Sequence, residues 1–509
     1  MYPYGSALVG EYHNQRRFLL IHLLQTVAQE AMLKPGVISR RFCLVVFAVA
    51  SACTSATSVT GIGPSSPSSL SARQAAFLDT LERRTFNWFW ERTDANTGLT
   101  PDRWPTKSFS SVAAIGFALT AYPVGVERAY VSRADAAQRT LNTLRFMYNA
   151  PQGSQPTNVT GYKGFFYHFL DMQSGFRFER VELSTIDTSL LLGGILFAQS
   201  YFTGADPTES AIRAYADSIY LRVDWAWAVN QPNVVSMGWH PESGWINADW
   251  RGYDEGMIVY VLALGSPTHS IDPASWAEWT KTYVWADFYG QAHVNFPPLF
   301  GHQYSHIWID FRGIQDVYMR GKGIDYFENS RRATISQRLY AIANPGQWRD
   351  YGANVWGLTA GDGPFDTTLV IGGRSRQFWT YRARGAAANG IQDDGTIAPT
   401  AAGGSVAFAP EIAIPALVAM REKYGDNLFT NYGFVDDFNP TLTEGTARYG
   451  RIVAGVGWFD TDYLGIDQGP IIAMIENYRS DLIWKTMRKN KYIVAGLKKA
   501  GFTGGWLGN

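Results

Sequence analysis

The feature that most constrains this chain is a repeated junction in which an acidic residue is followed at once by a long, nearly all-apolar helical run. Glu182 precedes the Ser184-x-x-Asp187 start of STIDTSLLLGGILFAQSYF, Glu255 opens EGMIVYVLALG, Glu411 opens EIAIPALVAMREKYG and Asp467 opens DQGPIIAMIENYR. A helix that is apolar on every side has no face to offer water and must lie in an interior. It can present polar groups only at its ends. If several such helices run parallel around a ring, their first turns gather the carboxylates at one end, where two can be held apart for acid and base chemistry.

The pattern predicts six apolar segments: from Ser110, after Ser184, after Asp254, from Ser330, after Pro410 and after Gly469. Ser184 with Asp187 forms a capping box, Asp254 suits an N-cap, and Pro410 and Pro470 suit first helical positions. Amphipathic stretches beginning at Arg73 and near 131–149, 207–229, 274–288 and 480–500 are predicted as outer helices. Strand-like alternation is sparse. The long Gly-rich connections at 232–250 and 345–404 are assigned to one end, since loops of that length in a compact domain are usually functional. The expected fold is all-α, a single (α/α)6 toroid (barrel) over residues 73–509 with long loops at the catalytic end.

Residues 1–53 read as an upstream extension and a lipoprotein-type signal peptide, and 54–72 as a flexible Ser/Thr/Pro/Gly tether. Lys34, Arg40 and Arg41 precede an apolar run too short to anchor in a bilayer. Ala50-Ser51-Ala52-Cys53 resembles a lipobox, which would make Cys53 the lipidated first residue of an exported periplasmic or outer-membrane-anchored lipoprotein; plain secretion is the alternative. Membrane contact would then come through the anchor alone. The only other cysteine, Cys43, lies in the leader, so neither a disulfide framework nor thiol chemistry is expected. The formal net charge is zero and the basic residues are scattered, which argues against a nucleic-acid partner, and a monomer is expected.

Among the carboxylates, Glu182 and Glu255 form the best acid/base pair, and Asp467 is balanced between chemistry and structure. Asp187 serves the cap, a position the helix dipole favours in any protein, and is also a substrate-binding candidate together with Gln468. Glu411 is read as structural. In FGHQYSHIWIDFRGIQDVYM, His302, His306 and Asp310 are four apart and would share a helix face, but a further strong ligand is missing and no metal is assigned. Tyr304, His306, Asp310 and Arg312 are assigned instead to the wall of a sugar subsite. Asp394 in DDGT and the early Asp102-Arg103 pair supply hydrogen-bonding forks suited to hydroxyls. Eighteen tryptophans suit a cleft that holds sugar faces, although a large aromatic core explains them equally well. Serine-nucleophile, P-loop and dinucleotide motifs are absent.

LTPDRWPTKSFSSVAAIGFALTAYPVGVERAYVSR, TGYKGFFYHFLDM, ELSTIDTSLLLGG, MGWHPESG, LFGHQYSHIWIDFRGIQDVYM, DDGTIAPTAA and LGIDQGPIIAMIENYRS follow one another in order. Together they resemble the bacterial "putative glucoamylase" domain and, within it, the β-1,2-glucanases of glycoside hydrolase family 144. The resemblance spans nearly all of residues 76–509. It implies an (α/α)6 barrel that needs no cofactor and hydrolyses β-1,2-linked glucan, either as an endo-glucanase or by releasing sophorose. It further implies inversion at the anomeric centre, with the proton donor at Glu255 or Glu182. Related cyclisation domains retain configuration, so transglycosylation on the same glucans stands as an alternative, as does a non-catalytic glycan-binding lipoprotein.

Overall fold

Six helices are buried over nearly their whole length in the computed structural model, which describes residues 70–508: α2 (Val112–Glu127), α4 (Thr185–Tyr201), α6 (Met257–Gly265), α8 (Tyr304–Trp308), α10 (Pro399–Gly403) and α12 (Gly465–Ser480). Alternating with them are helices that bury one face: α1 (Ala72–Arg92), α3 (Arg133–Asn149), α5 (Pro207–Leu221), α7 (Ala274–Thr280), α9 (Tyr326–Ala343) and α11 (Pro410–Tyr424). A last helix, α13 (Lys491–Lys499), packs on α6. The chain divides into two units, Met1–Arg73 and Gln74–Asn509, and among the described residues every helix apart from the start of α1 belongs to the second. The leader, Cys53 and nearly all of the tether lie outside the described residues. Among the described residues no helix is long and apolar enough to cross a membrane.

The buried helices touch in chain order: α2 meets α4, α4 meets α6, α6 meets α8, α10 meets α12, and α12 meets α2. Gln303, just before α8, bridges to α10 by donating to Ala401 O and Ser405 Oγ, both at 2.9 Å. Some hydroxyls inside these helices are satisfied by their own helix backbone: Thr188 donates to Ser184 O at 2.7 Å and Thr120 to Gly116 O at 2.9 Å. Ser111 caps α2, and Ser184 caps α4 by accepting from Asp187 N at 3.1 Å.

The α2–α4 crossing requires glycine. A Cβ at Gly194 would stand 2.0 Å from Gly116 O, and one at Gly116 would stand 2.3 Å from Leu190 O. Both contacts are with backbone, which cannot swing aside.

Several expectations are corrected. The helix at 326–343 and the one after Pro410 bury one face rather than all sides; the interior places beside them are held by the short segments α8 and α10. Asp254 is not the N-cap of α6; Gly256 holds that position, and Asp254 accepts from Gly256 N at 2.8 Å instead. Pro470 lies inside α12, not at its start. The description all-α is also too strict, because the long connections fold into short antiparallel strands. The largest group is a five-stranded sheet ordered Gly244–Trp245, Gly238–His240, Leu183–Ser184, Phe165–Tyr167, Gly161–Tyr162.

Where α1 and α12 meet, a fully buried Glu82 lies beside Glu476. Arg479 Nη1 donates to Glu82 Oε2 at 2.6 Å, and Arg128 Nε donates to Glu476 Oε2 at 2.7 Å. Burial, then the neighbouring Glu476 charge, raises the Glu82 carboxyl from 4.5 to about 8 against the pull of the two guanidiniums. The folded state therefore holds a proton that the unfolded chain releases above 4.5. This contribution to stability is complete below pH 4.5 and is lost as pH rises through about 8. Melting temperature should fall across that window, and Glu82→Gln should flatten the profile. Gly194→Ala should destabilise the domain by roughly 2–3 kcal/mol, measured by denaturant unfolding.

Candidate active site

His168 and Glu182 are cross-strand neighbours. Tyr167 pairs with Leu183 in the sheet, and His168 N donates to Glu182 O at 3.0 Å. The side chains meet as well, with His168 Nδ1 2.7 Å from Glu182 Oε1. On the other edge of the ring, Nε2 lies 3.5 Å from Asp187 Oδ1. Burial opposes charge on the imidazole, but Asp187 and Glu182 overcome it and raise His168 to about 9. Burial likewise opposes ionisation of Glu182, and the His168 charge with its hydrogen bond outweighs that, holding the carboxyl at about 2. Asp187 is pushed up by burial, although His168 and the 2.5 Å bond from Ser184 Oγ restrain it. Glu182 and His168 thus form a closed ion pair.

Glu255 and Asp467 reach the same region from other helices. Glu255 stands just ahead of α6, 6% exposed, and its carbonyl accepts from Ser305 Oγ at 3.0 Å. Asp467 lies in the first turn of α12, 4% exposed, and its carbonyl accepts from Thr400 Oγ1 at 2.9 Å. Tyr304, the first residue of α8, is near enough to both to feel their charge. Burial raises its phenol, and the charges of Asp467, Tyr381, Glu255 and Asp187 raise it further. One buried phenol therefore feels acidic groups from the starts of α4, α6 and α12. Asp467 is itself pushed well up, by burial first and then by Asp436, with which it shares a hydrogen bond. Two carboxyl groups so joined hold one proton between them.

Asp102 and Arg103 belong to this group. Arg103 pairs with Leu464 in a two-residue ladder, and Gly465 N donates to Asp102 O at 2.8 Å, which fixes both residues against the start of α12. Arg103 Nη1 donates to Asp362 at 2.5 Å and Nε to Asp102 at 3.3 Å. Burial raises Asp102 while Arg103 restrains it.

The other candidates are engaged elsewhere. α8 ends at Trp308, so His302, His306 and Asp310 share no helix face. His306 Nε2 meets Ser330 Oγ at 3.1 Å, and Asp310 accepts from Arg312 at 2.8 Å and also from Arg488. Arg312 donates to Asp481 at 2.9 Å, and Asp481 is the C-cap of α12. At about 1.5 Å per residue, that network is about 20 Å along α12 from Asp467. Asp310 and Arg312 therefore brace the far end of the helix rather than a sugar subsite. Asp394 is held in a two-point pair by Arg384, at 2.7 and 3.0 Å, and Gln468 donates through Nε2 to Phe434 O at 2.9 Å. Glu411 pairs with Arg331 at 2.6 Å, as its structural reading expected. Sequence reasoning passed over His168, Tyr381, Asp362, Asp436 and Asp460. For Asp436 and Asp460 the available signal was paired acids inside short apolar runs, FVDDF and WFDTD.

The His168–Glu182 pair has a direct test. Its stabilising effect is complete between pH 4.5 and 6.5, is lost as pH rises through about 9 when the ring deprotonates, and is lost as pH falls through about 2 when Glu182 protonates. An NMR titration should find His168 charged at neutral pH. Glu182→Gln should bring its midpoint down by about one unit or more. An unchanged midpoint would contradict the pairing.

Comparison with known proteins agrees with this architecture. Residues 247–491 match the family model described as "Putative glucoamylase". The exo β-1,2-glucooligosaccharide sophorohydrolase of Parabacteroides distasonis is 29% identical over 457 residues, which is 83% of this chain and 57% of that protein. The chain thus spans little more than half the length of this curated relative. The endo-β-1,2-glucanase of Chitinophaga pinensis, solved with sophorotriose and glucose, superposes with a TM-score of 0.72 at 29% identity over 86% of this chain and 100% of that one. A structure from Bacteroides uniformis, described as a putative glucoamylase, superposes with a TM-score of 0.73 at 30% identity, covering 86% of this chain and 99% of that one. On that match, which spans 99% of the relative, the chain belongs to the "Putative glucoamylase" family.

Proposed function

We propose that this domain is a glycoside hydrolase that cleaves β-1,2-glucan, built as a single (α/α)6 toroid. The alternation of buried and one-face-buried helices supports the toroid. The observation that carries the chemistry is the convergence of Glu255, Asp187 and Asp467 on Tyr304, since glycoside cleavage needs a proton donor and a separate acceptor on opposite sides of one bond. The relatives supply the sugar: those from P. distasonis and C. pinensis are named for β-1,2-linked glucans.

In this reading Glu255 is the general acid and the Asp467–Asp436 pair the acceptor. A carboxyl pair that keeps one proton still carries one negative charge, so it can take a second proton from an attacking water or a sugar hydroxyl. Glu182 is a poor proton carrier in either direction, because its ion pair with His168 holds it ionised and weakly basic. It serves instead to accept sugar hydroxyls and to hold His168 against Asp187. Asp102 and Arg103 are assigned to the same wall. The lipobox reading adds that the enzyme would meet its glucan outside the cytoplasm.

The test is incubation with linear β-1,2-glucan beside β-1,3-, β-1,4- and α-1,4-glucans, following product size and the anomer first released by NMR. Cleavage confined to the β-1,2 polymer is expected. Glu255→Gln and Asp467→Asn should each lower kcat by roughly 10³-fold or more, and Glu182→Gln by much less. A near-normal Glu255→Gln enzyme would remove the acid assignment. Transfer to acceptor sugars with retained configuration would move the protein to the transglycosylase class.

A further inference from the structure

Three loops that precede α10 or α12 bring an excess of aspartates into one buried place. Asp362 follows a short strand, Asp436 lies in FVDDF and Asp460 in WFDTD. Backbone bonds stitch the loops together: Asp362 N donates to Asp436 Oδ2 at 2.8 Å, Asp436 N to Asp462 O at 2.9 Å, and Asp460 N to Asp437 O at 2.9 Å. Asp362, Asp436 and Asp460 each turn one carboxylate oxygen inward so that these atoms lie within 4.8 Å of one another, the one such group of three among the described residues. Two oxygens on opposite sides of a hard cation that binds at about 2.4 Å span that distance.

The charge around these oxygens is not balanced. Asp362, Asp436, Asp437, Asp460, Asp462 and Asp467 are all buried. The guanidiniums among them are Arg103, on Asp362, and Arg384, whose two-point partner is Asp394 and which reaches Asp437 Oδ2 at 3.2 Å. Separately, four oxygens here have no hydrogen-bond donor outside the acids themselves, one each on Asp436, Asp437, Asp460 and Asp467. Asp460 is 4% exposed; its Oδ1 accepts from Thr461 N at 2.6 Å and Asp462 N at 3.3 Å, which leaves the enclosed Oδ2 without a partner. Asp437, outside the group of three and 1% exposed, likewise has Oδ1 unpartnered beside the Arg384-bound Oδ2. Enclosed carboxylate oxygens without donors are costly unless a proton or a cation meets them.

We propose that Asp362, Asp436 and Asp460 form a calcium-type site, in which a hard divalent cation takes one oxygen from each and fixes the loops that lead into α10 and α12. All the ligands are carboxylate oxygens and none is nitrogen or sulfur, which selects calcium, magnesium or manganese over zinc or copper. The remaining positions would be filled by water. The site would stand whatever linkage the enzyme cuts.

The full chain, stripped with a chelator and dialysed, should bind one calcium ion by calorimetry and one terbium ion by sensitised luminescence, and its melting temperature should rise with calcium concentration. Asp460→Asn and, independently, Asp362→Asn should each weaken calcium binding about tenfold or more. In chelator Asp460→Asn should melt at or above the wild-type temperature, since it removes a like charge from the cluster and keeps the oxygen that accepts from Thr461 and Asp462. That comparison separates a lost ligand from a lost fold. Exchange of Asp171, an acidic turn residue on another loop, should leave binding unchanged. Absence of saturable binding of calcium, magnesium or manganese at millimolar concentration would overturn the site, as would full-strength binding by both variants.

Discussion

Everything in this domain follows from helices that have no polar side. α6, α8 and α10 are buried at every residue, and α2, α4 and α12 nearly so. Their backbone groups are satisfied internally except at the ends, where the first amides of each helix have no partner within the helix and carry partial positive charge. Polar side chains are thereby displaced to the first turns. Ser111, Ser184 and Asp187 meet that need as caps or close to them, and Glu255 and Asp467 stand at equivalent places on their own helices. The interior glycines belong to the same constraint, because apolar helices must approach closely to exclude water. At Gly116 and Gly194 they approach to the distance at which even a methyl group is too large.

Carboxylates drawn out of water in this way need compensation, and the domain provides it in two different forms. Glu182 is met by an imidazolium and stays charged. Asp467 is met by another carboxyl group and keeps a proton. The two solutions give neighbouring acids opposite character although both were read from sequence as the same kind of group. Arg103 provides a third form, a single guanidinium set among Asp102, Asp362 and the more distant Asp462, 4.0 Å away. Position at a helix start decides where an acid stands, and the partner decides what it does.

This explains what could be read from the chain alone. The Ser184–Asp187 cap was legible because both partners lie within one turn. The apolar runs of α2, α4, α6 and α12 were legible because they are long enough to show their lack of a polar face. α8 and α10 were missed as interior elements, being too short for any periodicity to register, and their places were given to α9 and α11. The spacing of His302, His306 and Asp310 misled for a related reason: it assumed a helix that ends at Trp308. His168 could not be found as the partner of Glu182, since a strand pairing across a loop brings them together. The aspartates at 362, 436 and 460 come from three separate loops, and nothing local links them.

The ladder between Arg103 and Leu464 joins residues near the two ends of the folded domain. At synthesis rates of about 5–20 residues per second, the strand carrying Arg103 waits on the order of tens of seconds for its partner to leave the ribosome. Through that interval α2 has no α12 against which to bury its second side. The nascent domain must therefore carry exposed apolar helix surface until its last quarter is made, so that folding is late and all at once, governed by contacts distant in sequence. Assembly of the acidic wall is in this sense the final event in making the protein, and no fragment released early would contain it.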